Sequence, residues 1–370
     1  MKALIVAGEA SGDIYGARLA GLLRSRLPDL QIAGMGGDQM KANGVDLLAH
    51  YGDVAVVGVF EVFGKLAKLR QAFGLLKDWI EKESPEFVVL IDFPDFNFRL
   101  ARFLKKKKIK VFYFISPQIW AWRKNRIHFL KEHIDLMISI LPFEQKMYEQ
   151  QGIPVVYVGH PLVEIVREDL KTQSFSARSS KPRIGLMPGS RDTEVQRHLP
   201  ILLKTLELLR KEVDFESILL WAPTLNEKEF EIENIQIVKE NRYAAMQSCD
   251  FLFVASGTST LETAILGVPF VIVYRVGDFS WELGKILVRV PYYGLVNWIA
   301  QEKVVAEFIQ DRMDPELLAA EAQAFLKENE KQQNLKMKLQ KLVESLGPPG
   351  AMERATDEIL KRLVSMERRL

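Results

Sequence analysis

Short unbroken runs of Val, Ile, Leu and Phe recur along this chain, each followed by a longer amphipathic stretch, and this alternation limits the fold more than any other feature. A strand with no polar alternation is one buried on both faces, as in parallel sheets. Parallel neighbours need a crossover between them, which an amphipathic helix supplies while covering the sheet. In the first half the runs are Ala3–Ala7, Gln31–Gly34, Phe87–Asp92, Val111–Ile115, Leu136–Ile140 and Val155–Val158. Helical patterns at Tyr15–Arg26, Val62–Ile80, Phe98–Lys107 and around Glu144–Gln151 separate them. The rhythm stops at a polar stretch, Glu168–Pro182, and restarts with runs at Arg183–Met187, Ser217–Trp221, Ile235–Val238, Asp250–Ala255 and Pro269–Tyr274. The chain therefore reads as α/β: two doubly wound Rossmann-like domains facing a central cleft, spanning 1–168 and 183–345. The tail, 346–370, opens with a Leu-Gly-Pro-Pro break at Leu346–Pro349, and a last helix runs from about Ala351.

Length and composition agree. At roughly 150 residues per domain, 370 residues suggest two domains, each large enough for its own core. The single cysteine, Cys249, excludes a disulfide framework and any multi-cysteine zinc site. Fifty Lys and Arg against 48 Asp and Glu give a net charge of +2, which does not point to wholesale nucleic-acid binding. No signal-peptide pattern and no run of 18 apolar residues occur, so a cytoplasmic protein is expected.

Four loops follow strands directly, where open α/β sheets bind ligands. The first is Ala7-Gly8-Glu9-Ala10-Ser11-Gly12-Asp13. It matches neither a dinucleotide fingerprint nor a Walker loop, and Glu9 and Asp13 repel a diphosphate. It suits hydroxyl groups or a proton, or else Ser11 or Asp13 simply caps a helix. The second, Ile91-Asp92-Phe93-Pro94-Asp95-Phe96-Asn97, puts Asp92 at a strand end as a candidate general base, with Asp95 as a helix cap. The chain contains no Asp-x-Asp, and no metal or other cofactor is expected. The third, Pro188-Gly189-Ser190-Arg191, exposes backbone donors beside a guanidinium that can fork onto phosphate oxygens. The fourth, Ser256-Gly257-Thr258-Ser259-Thr260-Leu261-Glu262, lets a diphosphate approach a helix N-terminus, with Glu262 placed to accept from a ribose diol. The third and fourth loops together describe a nucleotide-diphosphate pocket. Read plainly, either is an ordinary turn or a Ser/Thr cap.

Two further segments carry charge and apolar surface. From Ala101 to Lys131 there are ten Lys/Arg and no Asp/Glu, and Ser116-Pro117-Gln118-Ile119-Trp120-Ala121-Trp122-Arg123 lies within this block. That suits phosphates or an anionic lipid surface. Along 62–80, Val62, Leu66, Leu69, Phe73, Leu76 and Ile80 share one helical face, with Lys65, Lys68, Arg70 and Lys77 around it. This is either a helix packed on its own sheet or one lying at a lipid interface. His160, in Val158-Gly159-His160-Pro161, stands near the expected hinge, where it touches ligand or braces the loop.

AGEASGD at 7–13, IDFPDFN at 91–97, SPQIWAWR at 116–123, LPFE at 141–144, VGHP at 158–161, LMPGSR at 186–191 and ASGTSTLE at 255–262 together resemble the lipid-A-disaccharide synthase family of Gram-negative bacteria. The strings keep their order across nearly the whole chain. The resemblance implies a GT-B fold with the C-terminal helix crossing back to the first domain. It also implies an inverting transfer from UDP-2,3-diacylglucosamine to 2,3-diacylglucosamine 1-phosphate at the cytoplasmic face of the inner membrane. The family's acid falls on Asp92, with Glu9 or Asp13 orienting the acceptor or supporting it, and its arginine falls on Arg191. Its nucleotide loop falls on Ser256–Glu262, and its asparagine on Asn297 in Gly294-Leu295-Val296-Asn297. Ser11, Val62, Leu66, Leu69, Phe73, Trp120, Trp122 and Arg123 would serve the acceptor and the membrane. An anionic membrane surface is the expected partner, nucleic acid is not, and a homodimer stays open. Three other readings also stay open: an epimerase on UDP-sugars, a two-lobed binding protein without chemistry, and a membrane- or RNA-docking scaffold.

Overall fold

The computed structural model describes residues 1–54, 62–117, 126–176, 180–223, 225, 235–277, 281 and 291–367. It divides into two compact units, Met1–Pro161 with Gly347–Leu370, and Leu162–Leu346. Each is built on a wholly parallel sheet.

In the first unit seven strands run β3-β2-β1-β4-β5-β6-β7. They are β1 Lys2–Ala7, β2 Gln31–Gly36, β3 Asp46–His50, β4 Phe87–Ile91, β5 Lys110–Phe114, β6 Leu136–Ser139 and β7 Val155–Tyr157. The strand order reverses between β1 and β4, which pair in register from Ala3↔Phe87 to Ala7↔Ile91. That reversal opens a crevice at the carboxyl ends of β1 and β4. The central strands are buried, β4 throughout and β5 from Val111 to Phe114, as their apolar runs require. Against them pack helix α1 (Ala10–Arg26), the long helix Val62–Glu83 through Ala72, Leu76 and Ile80, and the helix Pro94–Lys106. The last helix, Ala351–Glu367, belongs to this unit. Arg26 of α1 pairs with its Asp357 at 2.8 Å, and Arg354 Nε donates to Val158 O at 2.8 Å.

In the second unit six strands run β10-β9-β8-β11-β12-β13. They are β8 Arg183–Met187, β9 Glu216–Leu220, β10 Gln236–Val238, β11 Phe251–Ala255, β12 Phe270–Tyr274 and β13 Glu307–Ile309. Here the reversal falls between β8 and β11, paired from Phe251↔Ile184 to Val254↔Met187. The helices Asp192–Leu209 and Pro315–Lys327 share one core with this sheet, through Val195, Leu199, Leu202, Leu318 and Phe325.

The boundary between the units differs from a polar linker at Glu168–Pro182. A helix runs Pro161–Thr172 and buries Leu162, Val163, Ile165 and Val166, so the chain leaves the first unit at Pro161. Strands β3 and β13 and the helix Pro161–Thr172 carry too little unbroken apolar sequence to announce themselves.

Candidate active site

The crevice of the first unit is formed by the loops after β1 and β4. Gly8 is obligatory there, because a Cβ on it would lie 2.2 Å from the Phe93 ring. Phe93 in turn stacks on Phe96, with ring centres 5.4 Å apart. Asp92 and Phe93 both have left-handed backbone, φ 42° and 47°, a conformation that non-glycine residues adopt only where surrounding contacts enforce it. The contacts are present. The Asp92 N–H donates to Phe114 O at 3.1 Å, and Asp92 O accepts from Tyr113 Oη at 2.6 Å and Asn97 Nδ2 at 2.7 Å. Asn97 Nδ2 also reaches Ile91 O at 3.3 Å, so it clamps both ends of the turn.

The turn holds the Asp92 carboxylate half-buried, close enough to Glu9 to feel its charge. Burial first, and then the Glu9 charge, push the Asp92 carboxyl up to about 7, against a smaller opposing pull from the Phe93 backbone N–H. A carboxylate poised there can take a proton near neutral pH. Glu9 itself is exposed, at the N-cap position of α1. Ser11 is half-buried in the first turn.

Asp13 has a different task from the one expected. Its buried carboxylate accepts from the backbone N–H groups of Gly37 (2.7 Å), Gln39 (3.1 Å) and Met40 (3.1 Å). It therefore caps the short helix Asp38–Ala42 and is committed to the fold. Asp95 is exposed and paired with Arg126.

In the second unit the loops after β8 and β11 carry the polar groups. Gly189 has φ 136°, and a Cβ there would meet Glu194 Oε2 at 2.6 Å. The buried Glu194 carboxylate shapes this loop, accepting from Ser190 N at 3.0 Å and from Arg191 Nη1 at 2.9 Å. Ser190 thus spends its N–H inside the protein. The Arg191 side chain remains 60% exposed. His198 braces the same loop from below. Its Nδ1 donates to Pro188 O at 2.6 Å, while Nε2 accepts from the Arg275 N–H at 2.9 Å. Burial holds the imidazole below its ordinary range, which suits the neutral form.

After β11, the helix Thr258–Ile265 begins at Gly257, and Gly257 and Thr258 are exposed. Among the described residues no acceptor meets the N–H groups of Gly257, Thr258 and Ser259, leaving the helix N-terminus open to an anion. Ser256 Oγ donates to Tyr293 O at 3.1 Å. Glu262 is half-buried in the second turn. This loop keeps its expected donors.

Asn297 does not. It is fully buried, and its amide is consumed by four hydrogen bonds: from Val304 N and Val305 N to Oδ1, and from Nδ2 to Val305 O and Glu307 Oε1, all at 2.8–2.9 Å. It ties the helix Leu295–Ala300 to β13. Leu69 and Phe73 also turn inward, packing on the first unit's core, with the Phe73 and Phe96 rings 5.8 Å apart. The side chains of Val62 and Leu66, and all of Trp120, Trp122 and Arg123, lie outside the described residues. His160 is buried, and that burial drives its imidazole down to about 3. Sequence reasoning missed Glu194, His198 and Glu307: Glu194 stands in the first helical turn after the Gly-Ser-Arg loop, where an acid is a capping signal, whereas the partners of His198 and Glu307 lie ten or more residues away. Among the described residues no cluster of three or more His, Cys, Asp or Glu is arranged to hold a metal ion.

The chain matches known proteins over nearly its whole length. The family model described as lipid-A-disaccharide synthetase matches residues 3–360. The lipid-A-disaccharide synthase of Syntrophus aciditrophicus (strain SB) is 41% identical over 364 residues, covering 95% of each chain. That of Geobacter sulfurreducens is 37% identical over 376 residues, covering 98% of this chain and 97% of the relative. Among solved structures, CalG4, the calicheamicin glycosyltransferase, superposes with a TM-score of 0.63 at 12% identity over 98% of each chain. UDP-GlcNAc 2-epimerase from Neisseria meningitidis, bound to UDP-GlcNAc, gives 0.62 at 12% identity over 99% of this chain and 100% of that one. At such identities these structures speak for the fold alone, which is GT-B.

Proposed function

Since the chain belongs to the lipid-A-disaccharide synthase family, we infer that it is the glycosyltransferase of lipid A biosynthesis. It joins UDP-2,3-diacylglucosamine to 2,3-diacylglucosamine 1-phosphate, giving the β-1,6-linked disaccharide 1-phosphate and UDP. The transfer is one in-line displacement. The acceptor's 6-hydroxyl oxygen forms a bond to the donor's anomeric carbon, the bond from that carbon to the β-phosphate oxygen of UDP breaks, and configuration inverts. The hydroxyl proton needs a base, and the UDP leaving group needs donors for its growing charge.

Asp92 is our base. The observation that carries this is its half-buried carboxylate at the β1/β4 crevice, with a pKa pushed up to about 7. A carboxylate at its ordinary value would be a far weaker acceptor for a sugar hydroxyl. Glu9, exposed beside it, would orient the acceptor and tune Asp92. Arg191 and the open N–H groups at Gly257–Ser259 would receive the diphosphate, each such donor typically worth about 3–4 kcal/mol in the transition state. Glu262 would hold the ribose. Both substrates carry acyl chains, so we place the reaction at an anionic membrane surface. The exposed Lys105–Lys108 run, exposed Lys68 and Arg70, and Leu75 at 45% exposure support that placement. Among the described residues no helix is long and apolar enough to cross a membrane.

The test is Asp92→Asn. The amide preserves shape but cannot accept the proton, and we expect turnover to fall by about 10²–10⁴-fold with the KM for donor little changed. Near-normal turnover would remove Asp92 from the role of base.

A further inference from the structure

Glu262, the acid read as the ribose ligand, is itself held. Tyr243 Oη donates to Glu262 Oε1 at 2.9 Å. Tyr243 lies in the first turn of the helix Arg242–Gln247, one strand before the nucleotide loop. Its own backbone is fixed in turn. The N–H groups of Tyr243 and Ala244 both donate to Gln173 Oε1, at 3.0 and 3.3 Å, so a side chain just past the helix Pro161–Thr172 satisfies the orphan donors of this short helix. Burial and the Glu262 carboxylate keep the phenol far above its ordinary pKa, so it stays a donor at any working pH.

The geometry limits what Glu262 can do. A carboxylate offers about four acceptor positions on two oxygens. Tyr243 occupies one of those on Oε1, and among the described residues no other hydrogen bond reaches the group. A free carboxylate would rotate about its last torsion, which is broad and soft. One pinned at Oε1 presents Oε2 in a single direction. Two adjacent hydroxyls are the natural partner for an acceptor group so fixed.

We propose that Tyr243 is a positioning residue for nucleotide recognition, orienting Glu262 to read the ribose diol of the donor. The inference rests on the reading of Glu262 given above, and the experiment separates the two. Affinities of UDP and of 2′-deoxy-UDP are measured by calorimetry for wild type, Tyr243→Phe and Glu262→Gln, with melting curves to confirm that each variant is folded. Wild type should prefer UDP by about tenfold, the effect of one hydrogen bond to a charged group. Glu262→Gln should reduce that preference to about twofold or less. Tyr243→Phe should do the same, while its affinity for 2′-deoxy-UDP stays within about twofold of wild type. If Tyr243→Phe weakens both ligands equally, or leaves the preference intact while Glu262→Gln abolishes it, the positioning role is overturned. If wild type shows no preference, or Glu262→Gln retains it, the ribose reading itself falls and takes the inference with it.

Discussion

At the scale of single residues, the charge of Glu9 acts on Asp92 with a definite sign. The Asp92 carboxyl is raised from 3.8 to about 7, partly by the Glu9 charge. A base must be deprotonated, so kcat/KM should climb about tenfold per pH unit below 7 and level off above it. Glu9→Gln removes one of the two raising influences. The inflection should then move to lower pH, with activity at pH 6 falling less steeply than in wild type; a pH–rate profile of the two proteins checks this. An inflection that stays in place would separate Glu9 from Asp92. The acidic loop and Asp92 were legible in the sequence because a strand end followed by glycine and acids is a local pattern. The raised pKa was not, since it depends on how β1 and β4 pair and on a Phe93 ring seated on Gly8.

At the scale of elements, local pattern was a good guide to strands and a poor guide to what polar side chains do. The buried runs of β4, β5, β8 and β11 lie within a residue or two of where their apolar stretches put them. Asp13 and Asn297 both read as site residues in the sequence, yet each lies in a helix and is spent on groups of another segment of the chain. Nothing in a sequence window reveals those partners. Both residues should therefore behave as parts of the fold. Asp13→Ala leaves three backbone donors at the helix Asp38–Ala42 uncapped and should cost about 2 kcal/mol, seen as a lower denaturation midpoint. Asn297→Ala empties four buried hydrogen bonds and should cost about 3 kcal/mol by the same assay. A variant as stable as wild type at either position would return that residue to the binding surface. His198 teaches the converse lesson. It joins the loops after β8 and β12, on either side of β11, and a lone histidine in a helix gives no hint of it.

At the scale of the whole molecule, a near-neutral chain hides an uneven distribution of charge. Ten basic residues between Ala101 and Lys131, with no acid among them, sit in a protein whose net charge is only +2. Each Lys or Arg near an anionic bilayer contributes about 1 kcal/mol, and salt screens it. The protein should therefore sediment with vesicles containing anionic phospholipid, less with zwitterionic ones, and progressively less as salt is raised. Binding indifferent to both lipid charge and salt would argue against this surface. On a chain whose two parallel units have the GT-B fold, the family match across residues 3–360 points to one reaction. It is measured most directly as UDP released from UDP-2,3-diacylglucosamine, with and without 2,3-diacylglucosamine 1-phosphate, the lipid product being weighed by mass spectrometry. UDP release should depend on acceptor and match, mole for mole, a tetraacyl disaccharide 1-phosphate. UDP release that ignores the acceptor, or a donor recovered as its epimer, would contradict that reaction.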